Sequence, residues 1–331
     1  VRPTITTDEA ASERSAPAPA GAAPAVEPSA QPVRRERAGH AALLVVQLVF
    51  GLFTVLVKLC VEGGLEPRAI AAWRLVFGTL SVGAVAFVLH RRALLPPRRL
   101  MPRVALCSVL GVFANQMLAL EGTARTSAAS AGLLMTMIPV FTFLIAALSR
   151  QERFGARQLI GVPIAMSGAV WLLTHAHSGS ATGSAPLLGN TLIVLNTLAY
   201  AGYLVLSRRL LTQLPPAVLL AWAYGISALA APFLAWGQVL VPDAPDAAAR
   251  AAGWWGLGLL LVGPTFLAYL LNTFALSRVP ASVTAIYIYM QPAVAALAAY
   301  FVLGEELTAD FGIAAALVFT GIACVTIRKR R

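Results

Sequence analysis

The sequence predicts an all-α membrane protein: ten transmembrane helices in two inverted five-helix repeats, with both termini cytoplasmic. Three observations carry this expectation: a composition suited to lipid, ten apolar runs of spanning length, and a match between the two halves of the chain. Hydrophobic residues fill 58% of the 331 positions, charged residues only 12%, and mean hydropathy is +0.76. A soluble domain carries about 25% charged residues, so the bilayer is the solvent this chain fits. The net charge of +11 does not describe a nucleic-acid surface. Arginines sit in short clusters between apolar runs, with no basic face interleaved with aromatics. Lipid is the expected partner, and nucleic acid is not.

Residues 1–38, rich in Ala, Pro, Ser and Glu and without hydrophobic periodicity, read as a disordered cytoplasmic tail. The tail ends in RRER before a run too long for a signal peptide's apolar core, so Ala41 begins a retained helix. The expected spans are 41–60, 69–89, 103–121, 127–149, 157–174, 188–207, 216–237, 253–275, 281–303 and 309–327. Each has about the 20 residues that cross ~30 Å of hydrocarbon.

The connecting segments alternate in charge. One set holds Arg91, Arg92, Arg98, Arg99 and Arg103, then Arg150, Arg153 and Arg157, then Arg208, Arg209 and Arg278, and finally RKRR at 328–331. The other holds Glu62, Glu66, Glu121, Asp243, Asp246, Glu305, Glu306 and Asp310, with Arg68, Arg125 and Arg250 as its cations. Cytoplasmic loops carry the Lys/Arg excess, which places the first set and both termini inside. A cell-membrane location follows as an expectation.

Sliding the chain by 153 residues aligns Arg125 with Arg278, Met137 with Met290, Pro139 with Pro292, Glu152 with Glu305 and Gly168 with Gly321. A slide of 150 lays FGLFTVLVK (50–58) over YAGYLVLSR (200–208). These are two copies of a five-helix unit, and because five is odd the copies cross the membrane in opposite senses. Inverted repeats of this kind mark secondary carriers, which hold substrate near the midplane between the halves.

Ionisable residues at membrane depth are functional candidates. All nine acids after the tail fall in loops or at helix ends, which disfavours exchange of organic cations for protons and fits neutral or zwitterionic substrates. Lys58 and Arg74 enter apolar segments. Lys58 is expected near the interface, where its stem can snorkel. Arg74 is expected in an outer vestibule, either pairing with Glu121 or drawing a substrate carboxylate. Candidate substrate contacts are Phe50, Asn115, Gln116, Tyr200, Tyr203, Tyr269, Asn272, Tyr287 and Gln291, whose amides and phenols can fix a zwitterion without titrating. Pro139 and Pro292 are expected to kink the fourth and ninth helices. Cys60, Cys107 and Cys324 stand singly in or beside apolar segments, and His175 with His177 reads as loop. No cofactor or metal is called for.

The second half, AYLLNTFALSRVPASVTAIYIYMQPAVAALAAYFVLGEELTADFGIAAALVFTGI, resembles the EamA-type ten-helix members of the drug/metabolite transporter superfamily. The first half, NQMLALEGTARTSAASAGLLMTMIPVFTFLIAAL, is also similar to the plant nodulin-like (UMAMIT) amino-acid exporters. The resemblance divides the chain into one repeat over 39–176 and a second over 187–328. It implies a bundle with a central cavity that exports amino acids or related metabolites. The chain departs from the pattern at the end of the fourth helix, where Gln151-Glu152 stands for Gly-Glu, and lacks a tryptophan common in the first helix. An organic-cation or multidrug exporter is the alternative, a membrane sensor or scaffold stands behind it, and a homodimer is compatible with either. An intramembrane enzyme lacks the acids, histidines or metal ligands it would need at depth.

The orientation is tested with fused reporters. Green fluorescent protein after Arg331 should fluoresce and alkaline phosphatase inserted in the 175–187 loop should be active; the reverse pair of results would overturn the topology.

Overall fold

The computed structural model describes residues 30–91, 94–149, 156–175, 184–276, 287 and 290–326. Residues 1–29, Glu152, Arg278, most of 277–289 and the terminal RKRR lie outside the described residues. No strand occurs among the residues described. Six helical segments are long and apolar enough to cross a membrane: Arg37–Glu62, Pro67–His90, Arg98–Arg125, Ala128–Leu148, Pro186–Leu210 and Ala247–Asn272. Shorter apolar helices, Ile160–Trp171, Pro216–Ala228, Gln291–Leu303 and Ala309–Gly321, fall within the other expected spans. Large apolar side chains such as Leu80, Val88, Leu229 and Phe233 point outward, as a lipid-facing surface requires. The chain is a multi-pass membrane protein.

Helix α1 covers Ala30–Gly51 and, across Leu52, leads into α2, Phe53–Glu62. The helix therefore begins eight residues or more before the expected edge of the tail, because Ala, Arg and Glu are good helix formers and extend a helix already nucleated by its apolar run. Helix α3 is Pro67–His90, with proline in its first turn where no intrahelical donor is needed. The third span consists of α4 (Met101–Ser108), a π-helical segment Val109–Phe113, and α5 (Ala114–Arg125). The fourth divides into α6 (Ala128–Met135) and α7 (Ile138–Leu148). Thr136 and Met137 tighten to i−3 bonds at that break, donating from their amides to Leu133 and Leu134. Pro139 then sits in the first turn of α7.

Helices α8 (Ala156–Thr174), α9 (Pro186–Leu210), α10 (Pro216–Ala228) and the short α11 (Ala231–Ala235) follow. The next span is α12 (Ala247–Leu260), a second π segment Leu261–Leu267, and α13 (Ala268–Leu276). Helix α14 is Gln291–Leu303, with Pro292 in its first turn, and α15 is Ala309–Thr326. An offset of 153 carries Val109–Phe113 onto 262–266, inside the second π segment, and carries the start of α7 onto the start of α14. A π turn admits one extra residue and rotates everything beyond it about the helix axis. The two halves thus bend and re-aim their helices at matching places.

Among the described residues, the two largest of five apolar clusters lie between helices of both halves. One joins Leu56, Leu75, Leu120 and Leu260; the other joins Leu133, Met137, Val140, Ile193 and Val318. Helices α8 and α15 meet reciprocally. Gly168 lies against Val318 and the Ala314 carbonyl, while Gly321 lies against the Ala165 backbone. The same offset converts the Gly168–Val318 contact into the Gly321–Ala165 contact, so a local two-fold relation runs between these helices.

Glu305 lies in the non-helical segment after α14, as the sequence predicts, but it is buried there, 2% exposed. Gly304, at φ +65°, turns the chain left-handed at the end of α14. The carboxylate that follows accepts from the Ala128 amide at 2.7 Å and the Ala129 amide at 3.1 Å. Ser127 Oγ accepts from the Ser130 amide at 3.0 Å. Three of the four free donors at the start of α6 are thereby satisfied without water. Lys58 is buried as well, 5% exposed rather than snorkelled, and lies within electrostatic range of Glu305 and Glu62.

Two substitutions test this packing. Gly321→Ala should lower stability by about 1–3 kcal/mol through overlap with the Ala165 backbone, whereas Gly312→Ala, with nothing within 4 Å, should be tolerated; thermal unfolding in detergent reads both. Glu305→Ala should cost about 1–3 kcal/mol by leaving buried amides unpaired, and an unchanged melting temperature would refute the capping role.

Candidate functional site

Polar side chains from several helices converge inside the bundle. Arg74, two turns into α3, is only 7% exposed. Its Nε donates to Thr265 Oγ1 at 3.1 Å, and its guanidinium carbon lies 5.0 Å from the centre of the Phe53 ring. Thr265 belongs to the second π segment and donates in turn to the Leu260 carbonyl at 2.9 Å. Arg74 makes no ion pair with a described residue. It therefore does not pair with Glu121, one of the two partners the sequence suggested. Glu121 pairs with Arg125 one turn further along α5, and Arg125 also donates to the Glu121 carbonyl at 2.8 Å. The shorter i,i+4 reach on one helix wins over the reach across to α3.

Tyr224 of α10 ties Arg74 to the rest of the cluster. It lies within electrostatic range of Arg74 and Tyr200 and beside the side chain of Gln116. Its ring occupies the space that a side chain at Gly78 would fill. Gln116 is 4% exposed, and its amide oxygen Oε1 has no hydrogen-bond partner. An unpaired buried amide oxygen costs about 1–3 kcal/mol, so this atom is poised to accept from a ligand. Tyr200 and Tyr203 stand with ring centres 5.5 Å apart, and Tyr203 packs over Gly111 in the first π segment. Asn196 donates to the Asn115 carbonyl at 2.7 Å, where that π segment returns to α-helix. The arrangement offers one guanidinium, an amide oxygen and phenols among aromatic walls, in surroundings where each polar contact is strong.

Other sequence candidates fall elsewhere. Gln291 donates to Gln47 Oε1 at 2.6 Å, which makes it a bond between α14 and α1. Tyr287 and His40 Nδ1 are 2.9 Å apart. Phe50 is exposed, and among the described residues no ring contact joins it to the cluster. Asn272 is half-buried on α13, and the side chain of Tyr269 lies outside the described residues. An apolar groove of about 390 Å³ between Ala72, Val76, Pro232 and Leu240 contains no amide or ionisable side chain, so it lacks the specificity groups that the Arg74 cluster has.

Sequence reasoning missed Tyr224, Thr265 and Phe53. Tyr224 carried a signal: a slide of 150, the one that aligns the first and sixth helices, brings Arg74 onto Tyr224. The two halves place a cation and a phenol at corresponding positions, and those positions meet.

A relative from Streptantibioticus cattleyicolor, a probable terminal-alkyne amino-acid exporter, is 28% identical over 275 residues, covering 81% of this chain and 89% of that protein. The uncharacterized transporter YdfC of Bacillus subtilis is 26% identical over 279 residues, covering 81% and 85%. A WAT1-related protein of Arabidopsis thaliana is 32% identical over 124 residues, 37% of this chain and 34% of that one. One solved crystal structure superposes with a TM-score of 0.61 at 19% identity, covering 89% of this chain and 99% of the other, a likeness of fold. The model of the EamA-like transporter family matches twice, over residues 37–174 and 187–327. The chain is a transporter, not an enzyme, and belongs to the EamA-like transporter family.

Proposed function

We propose that the protein exports amino acids or related small metabolites across the cell membrane by alternating access, with both termini in the cytoplasm. The observation that carries this reading is the buried polar cluster of Arg74, Gln116, Tyr200, Tyr203 and Tyr224. Its residues come from both halves of the chain, and the two π segments border it. A carrier needs such a site between two bodies that rock against one another. The exporter from Streptantibioticus cattleyicolor supports the substrate class by its similarity over most of this chain. The ten-helix, inverted-repeat arrangement is part of the same proposal, supported by the matching π segments and the reciprocal contact of α8 and α15.

An organic-cation exporter coupled to protons fits less well. Among the described residues, the acid most deeply buried is Glu305, whose oxygens already accept two backbone amides beside Lys58. A carboxylate so engaged is a poor partner for a cationic substrate.

The test is counterflow into proteoliposomes loaded with a panel of amino acids, sugars and organic cations. Saturable exchange of amino acids is expected. Gln116→Ala and Tyr200→Phe should each cut the rate by about tenfold, in line with the loss of one or two ligand hydrogen bonds, while the protein stays folded in the membrane. Unsaturable flux would point to a channel, and unchanged rates in both variants would reject this site.

A further inference from the structure

Arg74 poses an electrostatic problem that the fold alone does not solve. A cation at this depth is expensive and is normally paired or hydrated. Here the guanidinium has one hydrogen bond, from Nε to the neutral hydroxyl of Thr265, and the face of Phe53 beside it. Its two terminal amino groups make no hydrogen bond to a described residue, and the nearest electrostatic neighbours, Tyr224 and Cys60, are neutral groups at pH 7. Guanidinium presents those terminal donors as a planar fork that matches the two oxygens of a carboxylate. Within the same cluster, Gln116 Oε1 is an acceptor with no donor. The walls, Phe53, Tyr200, Tyr203 and Tyr224, suit an apolar body between the polar ends.

We propose that Arg74 is the substrate-recognition residue of this carrier and takes a carboxylate on its terminal amino groups, with Gln116 Oε1 accepting a hydrogen bond from an amino group where the substrate has one. This rests on the carrier reading above and sharpens it: the substrate is a small carboxylate with an apolar or aromatic body, not an organic cation. The bound carboxylate supplies the countercharge that the guanidinium lacks inside the bundle.

The full chain is reconstituted and assayed by counterflow with three matched probes: L-phenylalanine, L-phenylalaninamide and 3-phenylpropanoate. The expected result is exchange of phenylalanine with little exchange of the amide. Flux of 3-phenylpropanoate would show that the carboxylate suffices; its failure alone would assign a binding role to the amino group, through Gln116. Arg74→Gln should raise the half-saturating concentration for phenylalanine roughly 10- to 100-fold, with Arg74→Lys falling between it and the wild type. Protection of the wild type, but not of Arg74→Gln, against thermal unfolding by phenylalanine separates lost recognition from lost folding. Exchange of the amide as readily as the acid, or an unchanged half-saturation in Arg74→Gln, would overturn the carboxylate proposal while leaving the carrier reading intact. No flux or thermal protection with any of the three would sink the carboxylate proposal too, and the carrier reading would then stand or fall on the wider panel.

Discussion

Inside hydrocarbon no water is available to repair an unpaired donor, acceptor or charge, and the rest of this fold depends on meeting that demand within the protein. Its solutions are local wherever the chain allows. Pro139 and Pro292 stand in first turns, where a missing amide costs nothing, and serine and threonine hydroxyls return to carbonyls three or four residues back. Where local solutions run out, partners come from afar: Glu305 for the start of α6, Gln47 for Gln291, and Ser227 for Ser108. The demand is left open at Gln116 Oε1, as it is at the hydroxyls of Thr54 and Thr123, and Arg74 adds a buried charge with a single neutral partner.

The spans were legible in the sequence because lipid enforces length and hydropathy on each helix separately. The break near Pro139 was legible too, since proline acts on its own turn. What could not be read depends on how helices meet. The burial of Glu305 follows from a left-handed glycine and the approach of another helix. The partnership of Arg74 with Thr265 follows from a π segment, which alters the face that a helix presents. By contrast, the Glu121–Arg125 pair was readable from its i,i+4 spacing, and the distant Arg74–Glu121 pairing was the wrong choice between two available ones. Tyr224 was the costliest omission. It sits in an apolar helix as an unremarkable aromatic until the register of the two halves places it opposite Arg74.

The halves are alike in backbone and unlike in chemistry. The π segments and the starts of α7 and α14 correspond, and so do the glycines of α8 and α15. The side chains differ where polarity is concentrated: Arg74 corresponds to Tyr224, Gln116 to Tyr269 and Ile138 to Gln291. Symmetric backbone suits a machine that must present the same barrier to either side.

The bond between Glu305 and the start of α6 also has a mechanical meaning. Two short charge-assisted hydrogen bonds join the end of α14 to the first turn of α6, so a displacement of one end is handed directly to the other. Helix α6 then acts as a short rod of eight residues, about 12 Å long at 1.5 Å per residue. At its far end lies the non-helical pair Thr136–Met137, where the chain can turn without breaking a full α-helical bond. Glu305 thus ties one surface of the bundle to a short rod whose other end is the break near its middle.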